Sequence, residues 1–322
     1  RTAYATDFAD VKGAESAKRG LEIAAAGGHN IAMSGPPGTG KTMLAKAFIG
    51  ILPPLNFEHI LEVTGIHSSV GVLADDLVTD PPLRSPHHTA SYVSMVGGGA
   101  TPKPGEITLA HRGVLFLDEF PEFERRVLES LRQPLEDRII SISRAKGTIA
   151  FPADFILIAT MNPCPCGNKG VRGKECVCSQ SAIMKYERRI SGPIIDRIDL
   201  WLEVPQVDPH KLSSESEGEG SYAVRERVTR ARAIQEKRFR DMPGLTVNSQ
   251  MNVRELKRFA PLSQEATELL NTSASRLNFS ARVYHRLIKL ARTIADLSEI
   301  EDIAPTHILE ALQYRPKEKV GY

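Results

Sequence analysis

The sequence contains a segment whose spacing is typical of a phosphate-binding loop. Residues 35–42 fit the pattern G-x-x-x-x-G-K-[ST], with the sequence Gly35-Pro36-Pro37-Gly38-Thr39-Gly40-Lys41-Thr42. This segment lies between a short apolar run and a helical pattern. Glycines allow backbone N–H groups to wrap phosphates closely, and the N-terminus of the following helix adds favourable partial charge. Lys41 is therefore expected to reach the β- and γ-phosphates of a nucleotide, and Thr42 is expected to bind Mg²⁺.

Two carboxylates and an amide that suit nucleotide chemistry follow two other apolar runs. Asp118 and Glu119 come directly after the run 114–117, and Asn162 comes after the run 155–160. Asp118 is expected to hold Mg²⁺, directly or through water, and Glu119 to polarise the attacking water as a general base. Asn162 would position that water beside the γ-phosphate if its strand lies between the other two. The alternatives are a plain helix N-terminus at Asp118-Glu119 and an ordinary turn at Asn162.

The four cysteines all lie in one short segment, at Cys164, Cys166, Cys176 and Cys178. A disulfide-stabilised fold would spread its cysteines along the chain, so the cluster indicates a reducing compartment, and we expect a cytoplasmic protein. Four thiolates brought together by a Gly-rich loop would form a closed, structural Zn²⁺ site. Because the C-x-C spacing is tighter than usual, free thiols or a disordered loop are the next alternatives, and a disulfide is the last on redox grounds.

Strand-like and helical patterns alternate over the first 200 residues. Unbroken apolar strands that alternate with helices indicate an α/β fold with a parallel sheet covered on both faces. The predicted strands are 30–34, 113–117, 155–160 and 198–204, and the predicted helices are 41–52 and 121–135. Two segments interrupt the pattern. Residues 80–112, rich in Pro, Gly, Ser and His, are predicted to form a long excursion, that is, a segment that departs from the alternating strands and helices. Residues 139–150 are predicted to form a β-hairpin with a basic tip.

The composition changes after residue 205. A polar, acidic, Gly-bearing stretch predicts a linker over 207–221. The remainder has helical spacing over 222–240, 252–259, 263–277, 280–297 and 305–313, with Ser263 as an N-cap. We therefore expect a nucleotide-binding core over 1–206 and an all-helical lid domain over 222–322.

Composition excludes several classes of protein. The chain has 322 residues, of which 41% are hydrophobic and 25% are charged, so collagen-like, wholly disordered and membrane-embedded chains are excluded. A net charge of +2 excludes a strongly basic, nucleic-acid-coating protein but allows a local basic patch. The first residues include neither an initiator Met nor the apolar stretch of a signal peptide. We therefore expect this chain to be part of a longer protein.

Taken together, the phosphate loop, Asp118-Glu119, Asn162 and the helical C-terminal region resemble an AAA+ ATPase. More specific segments resemble the magnesium-chelatase-like family, namely 84–89, 104–107, 111–113, 161–167 and 190–193. The segments 291–297 and 311–315 resemble its ComM (YifB) branch. That branch carries an N-terminal Lon-protease-like domain, which this chain lacks, so the resemblance implies a truncated sequence.

The resemblance implies an ATP-hydrolysing, hexameric ring that uses ATP and Mg²⁺. The ComM branch acts as a DNA helicase on single-stranded or branched DNA and promotes branch migration in natural transformation and recombination. Two other classes stay open, a magnesium-chelatase subunit that drives metal insertion into a porphyrin and a protein-remodelling ATPase. No membrane partner is expected.

Two arginines take their expected roles from the resemblance. Arg197 matches the arginine that contacts the γ-phosphate of a neighbouring subunit, with Arg188 and Arg189 as nearby alternatives. Arg282 matches the arginine of the helical lid that senses nucleotide. A guanidinium suits both places because its planar fork stays charged and donates two hydrogen bonds.

Two segments resemble the channel-lining elements of ring helicases. The hairpin tip at 144–147 resembles the pre-sensor hairpin, and the excursion at 80–112 resembles the helix-2 insert. Arg144 and Lys146 would then contact DNA phosphates by charge, although a solvated hairpin tip is the alternative. His87 and His88, in the excursion, are expected to have a structural or hydrogen-bonding role.

Overall fold

A central sheet of five parallel strands organises the chain. The computed structural model of the chain describes residues 6–73, 76–99, 102–144, 147–171, 173–207 and 218–316. Its strand order is β2-β5-β8-β1-β9, where the strands are β1 (Ile31–Ser34), β2 (Leu83–Arg84), β5 (Val114–Leu117), β8 (Ile156–Met161) and β9 (Leu200–Glu203). The α/β architecture and the four strands expected from the sequence are confirmed.

The prediction for residues 80–112 was wrong at its start. Leu83 and Arg84 form the edge strand β2, which pairs with Val114 and Leu115 of β5. The excursion therefore begins only after Arg84. A strand of two residues leaves no periodic signal, because it is defined by its partner strand rather than by its own pattern.

Both faces of the sheet are buried, as continuous apolar strands require. Successive side chains of a strand point to opposite faces. In β5, Val114 and Phe116 belong to one hydrophobic cluster, whereas Leu115 and Leu117 belong to the other. The helices of this region are α1 (Glu15–Gly27), α2 (Lys41–Phe48), α3 (Phe57–Ser69), α4 (Tyr92–Val96), α5 (Glu106–Leu109), α6 (Arg125–Ser130), α7 (Arg132–Asp137), α8 (Gln180–Glu187) and α9 (Gly192–Ile195).

The single helix predicted over 121–135 is divided. A 3₁₀ turn at Phe120–Glu122 is followed by α6 and α7, which meet at Leu131. Pro134 lies in the first turn of α7. Its ring removes one N–H donor and would clash with the carbonyl four residues earlier, so one continuous helix cannot form.

The hairpin predicted over 139–150 is confirmed. β6 (Ile139–Arg144) pairs antiparallel with β7 (Gly147–Pro152). Ala145 and Lys146, at its basic tip, lie outside the described residues. A second, two-residue pair, β3 (Gly97–Gly98) with β4 (Lys103–Pro104), lies in the excursion between α4 and α5.

The C-terminal region consists of helices, as expected. They are α10 (Ser221–Arg238), α11 (Val253–Phe259), α12 (Gln264–Arg276), α13 (Ala281–Leu297) and α14 (Pro305–Gln313). The predicted N-cap is confirmed, since Ser263 Oγ accepts a hydrogen bond from the Ala266 N–H at 3.1 Å. Linker residues 208–217 lie outside the described residues, and the proposed domain division stays a prediction.

Helix α13 attaches this region to the sheet. Its residues join α1, α10 and one face of the sheet in a single hydrophobic cluster. The Thr293 Oγ1 atom lies 2.8 Å from Nε2 of the buried His29, which precedes β1. Asp296 is buried and accepts hydrogen bonds from Arg238 and Arg292, so its charge is compensated twice. In the part of the chain that the structure describes, no helix is long and apolar enough to cross a membrane.

Candidate functional site

The predicted phosphate loop connects the carboxyl end of β1 to α2. Gly40 caps α2 with a φ of +87°, a left-handed conformation that favours glycine. The Lys41 side chain folds back over the loop, where it is 7% exposed. Its ammonium donates hydrogen bonds to the Pro36 carbonyl at 2.8 Å and to Asn162 Oδ1 at 3.3 Å. The loop therefore surrounds a buried cation.

The ammonium of Lys41 suits a phosphate. Desolvation lowers its pKa, and the negative charges of Asp118 and Glu119 partly oppose that effect. Among the described residues its hydrogen-bond partners are two backbone carbonyls and one amide, all of them neutral. A buried cation without a carboxylate in direct contact is costly, and a polyphosphate would supply the missing charge.

A hydroxyl and a carboxylate meet beside the loop, as a magnesium site requires. Thr42 Oγ1 donates to Asp118 Oδ2 at 3.0 Å. The other carboxylate oxygen, Oδ1, accepts hydrogen bonds from the Thr160 hydroxyl and, at 3.1 Å, from the Glu119 N–H. Hydroxyl and carboxylate oxygens are ligands that Mg²⁺ prefers, so Thr42 and Asp118 fit the ion.

Glu119 extends toward solvent from a strained backbone position. Its φ is +52°, a left-handed value that few residues with a side chain adopt. The side chain is 55% exposed, and its Oε2 lies 3.3 Å from Nδ1 of His88. The His88 ring also packs on His87 and, edge to face, on Phe123. His88 thus lies at ion-pair distance from a carboxylate 31 residues further along the chain.

Asn162 lies where its strand was expected to place it. β8 pairs with β5 on one side and with β1 on the other. The Asn162 side chain accepts from Lys41, and its backbone N–H donates to the Tyr186 hydroxyl at 3.3 Å. Desolvation raises the pKa of Tyr186 to about 12, so this phenol stays neutral.

These groups line one cavity of about 390 Å³. Its walls include residues 37–43 of the phosphate loop and α2, together with Asp118, Glu119, Thr160 and Asn162. Residues 37–42, 118–119 and 162, which are separated in sequence, therefore lie around one cavity. Thr160, His88 and Tyr186 were not predicted as parts of the site. A threonine in a strand, a histidine in an irregular segment and a tyrosine in a helix have no distinguishing spacing.

Arg197 and Arg282 lie together near the amino ends of the parallel strands, opposite the carboxyl ends that carry the phosphate loop. Arg197 precedes the amino end of β9, donates to the Pro193 carbonyl at 2.6 Å and forms an ion pair with Glu136, whose pKa it lowers. Arg282, at the start of α13, lies 3.1 Å from Asp196. Both arginines line a second polar cavity, of about 420 Å³. The described contacts bring neither arginine to the phosphate loop of its own chain.

The described contacts of the alternative arginines also do not include the phosphate loop. Arg189 pairs with Glu122 and donates to the Pro121 carbonyl at 3.2 Å. Arg188 and Arg189 line a groove of about 840 Å³ together with Arg125 and Lys185. Of the predicted DNA contacts, Lys146 lies outside the described residues, and Arg144 is described only as the last residue of β6.

The four cysteines converge into one cluster of free thiols. Their sulfur atoms all lie within 4.8 Å of one another, and Cys164 is 3.4 Å from Cys166 and 3.7 Å from Cys176. Ligands at about 2.3 Å from a tetrahedral Zn²⁺ are separated by about 3.8 Å, so the spacing fits zinc. A hydrogen bond from the Asn168 N–H lowers the pKa of Cys166 to about 6. The pKa of Cys178, despite a hydrogen bond from the Cys166 N–H, is raised to about 12 by desolvation and by the sulfur atoms of Cys166 and Cys164.

Comparison with known proteins gives one family over nearly all of the chain. The family model described as magnesium chelatase, subunit ChlI, matches residues 7–212, and the model of its C-terminal part matches residues 218–315. YifB of Salmonella typhimurium is 47% identical over 313 residues, which cover 96% of this chain and 60% of the relative. Competence protein ComM of Haemophilus influenzae is 46% identical with the same coverage.

A more distant relative carries the name of the family itself. The magnesium-chelatase 67 kDa subunit of Heliobacterium mobile is 26% identical over 62% of this chain. The chain spans about 60% of the length of its YifB and ComM relatives. With its parallel sheet, phosphate loop and helical C-terminal region, the chain belongs to the magnesium chelatase ChlI-subunit family of AAA+ ATPases, and its similarity to YifB and ComM is consistent with the ComM branch.

Proposed function

We propose that the protein is an ATP-driven ring motor that acts on DNA, as a ComM-like branch-migration factor. The buried Lys41 ammonium beside the Thr42–Asp118 pair is the observation that supports ATP hydrolysis. The relative named as a competence protein supports the DNA part. The magnesium-chelatase subunit is the second candidate, because the family model and one relative carry that name.

Each group of the cavity has a role in hydrolysis. Lys41 would bind the β- and γ-phosphates, and Thr42 and Asp118 would hold Mg²⁺, which would neutralise charge that develops on the phosphates. Thr160 orients the Asp118 carboxylate through its hydrogen bond to Oδ1. Glu119 accepts the proton of the attacking water, and Asn162 positions that water. Little covalent chemistry is required of the protein, so placement of these groups accounts for the rate.

Substitution in the cavity is expected to separate binding from hydrolysis. Lys41→Ala should weaken nucleotide binding, because Lys41 is the only lysine among the described residues that line the cavity. Glu119→Gln should still bind ATP but hydrolyse it about 10²–10⁴-fold more slowly, because an amide cannot accept the proton. Nucleotide affinity and single-turnover hydrolysis measure the two effects. Lys46→Ala, at an exposed lysine of α2, is the matched control and should change neither. Normal hydrolysis by Glu119→Gln would contradict the general-base role.

Arg197 is proposed to act on the nucleotide of the next subunit. It lies near the amino ends of the parallel strands, whereas the phosphate loop of its own chain lies at their carboxyl ends. Its Nε is buried and has no hydrogen-bond partner among the described residues. Arg282 lies beside it through its contact with Asp196, and its proposed role is that of the lid arginine that senses nucleotide.

A mixing experiment tests this assignment. Arg197→Ala chains should bind ATP and form rings but remain inactive, since such arginines contribute about 10³–10⁵ in rate. Lys41→Ala chains should also be inactive. Mixed rings contain some interfaces with an intact phosphate loop facing an intact arginine, so ATPase activity should partly return. If mixed rings form and no activity returns, Arg197 does not act between subunits, and Arg188 and Arg189 become the candidates.

DNA is the proposed substrate of the motor. The hairpin β6–β7 and the segment between β2 and β5 lie outside the parallel sheet, and both resemble channel-lining elements. Phosphate contacts by Arg144 and Lys146 would bind DNA without sequence preference. A chelatase subunit or a protein remodeller would need no such contacts.

The rate of ATP hydrolysis with and without DNA separates these functions. Single-stranded or branched DNA should stimulate the ATPase. The double variant Arg144→Ala/Lys146→Ala should lower DNA affinity and reduce its salt slope by roughly one unit for each lost phosphate contact. Its nucleotide affinity should match that of the wild type. An ATPase that DNA leaves unchanged would favour the chelatase or remodelling function.

The cysteine cluster is proposed to hold a structural zinc ion. Four thiolates complete a tetrahedral site and leave no open position for catalysis. Elemental analysis should find about one zinc per chain, and Cys176→Ser should lose the metal and lower the melting temperature, because one ligand is removed. A well-folded, metal-free protein with four titratable thiols would overturn this proposal.

A further inference from the structure

The cysteine cluster lies directly against the nucleotide cavity. Asn162, whose side chain contacts Lys41, precedes Cys164 by two residues. On its other side, the turn that follows Cys166 reaches the phosphate loop at Pro37. Both Asn162 and Pro37 line the cavity, so a single loop meets the site at two points.

The contact at Pro37 is close enough to exclude any side chain from the turn. Gly167 is buried, and a Cβ atom on it would lie 2.7 Å from Pro37 Cδ and 4.0 Å from the Asn162 side-chain carbon Cγ. Real Cβ atoms do not approach carbon atoms to 2.7 Å, so a side chain would displace either the turn or Pro37. The Gly167 backbone therefore acts as a support for the phosphate loop.

The sulfur atoms hold this turn in shape. Cys164 Sγ accepts a hydrogen bond from the Lys169 N–H at 3.3 Å, and Cys178 Sγ accepts one from the Cys166 N–H at 3.4 Å. The Gly167 N–H donates to the Cys164 carbonyl at 3.0 Å. The turn thus wraps around the cluster, and a metal ion bound to all four thiolates would fix the position of Gly167.

We propose that the zinc-loaded cysteine loop positions the phosphate loop and Asn162, so that nucleotide affinity depends on metal occupancy. This inference rests on the proposed ATPase function and on the proposed zinc site. Gly167 is the positioning residue and touches no phosphate itself. The effect is transmitted by the van der Waals contact with Pro37 and by the short chain connection from Cys164 to Asn162.

The loop offers a matched pair of variants. Gly167 and Gly170 have φ values of +78° and +75°, so an alanine at either position carries the same backbone strain. A Cβ atom on Gly170 would meet nothing within 4 Å. Gly167→Ala and Gly170→Ala therefore differ mainly in the contact with Pro37.

Zinc content and the dissociation constant for a fluorescent ADP with Mg²⁺ are measured for both variants. Gly170→Ala should keep its zinc and bind within about twofold of the wild type. Gly167→Ala should also keep its zinc but bind ADP about tenfold or more weakly, because misplacing a site by about 1 Å has large effects. Equal affinity of the two folded, zinc-loaded variants would overturn the inference.

Metal removal provides the second arm, which does not depend on the folding of a variant. Wild-type protein stripped of zinc by a chelator should bind the same ADP probe more weakly, and affinity should return when Zn²⁺ is added back. Stripped protein that binds as tightly as loaded protein would overturn the inference and leave the ATPase proposal intact. A zinc-loaded wild type that binds no nucleotide would overturn the ATPase proposal itself.

Discussion

The buried ammonium of Lys41 is the constraint on which the site depends. A cation that is 7% exposed needs compensating partners, and the folded chain gives it carbonyl and amide oxygens rather than a carboxylate. Asp118 lies nearby, but its two oxygens are engaged by Thr42 and Thr160. The acid is thus held beside the lysine without pairing with it, and this separation leaves both groups available to a nucleotide and its metal ion.

Much of this arrangement could be predicted from the sequence because its signals are local. The phosphate loop has fixed spacing, the buried strands are continuous apolar runs, and Ser263 is a typical N-cap. The position of Asn162 followed from the strand order, which the topology of β1, β5 and β8 confirms. Pro134 was visible in the sequence, but the break that it causes was not predicted, since the apolar spacing continues across it.

The missed features depend on contacts between distant parts of the chain. Thr160 bonds a carboxylate 42 residues away, and His88 reaches Glu119 from an irregular segment. β2 exists only because its two residues pair with β5. Neither residue type nor periodicity marks such positions, since the partner is supplied by the fold. The same holds for Gly167, whose lack of a side chain matters only because Pro37 lies against it.

The parallel sheet separates the two halves of the proposed catalytic site. In β1 and β9, Ile31 pairs with Leu200 and Ser34 with Glu203. The phosphate loop therefore starts at the carboxyl ends of these parallel strands, whereas Arg197 lies just before their amino ends. A strand of this length spans about 13 Å at about 3.3 Å per residue. Contacts with Glu136 and the Pro193 carbonyl also hold Arg197 near the amino ends of the strands. Groups at opposite ends of the strands can meet only between chains. A head-to-tail interface that closes on itself produces a ring. The direction of the strands is consistent with the ring assembly that we propose, because such a ring would join the arginine end of one chain to the phosphate-loop end of the next.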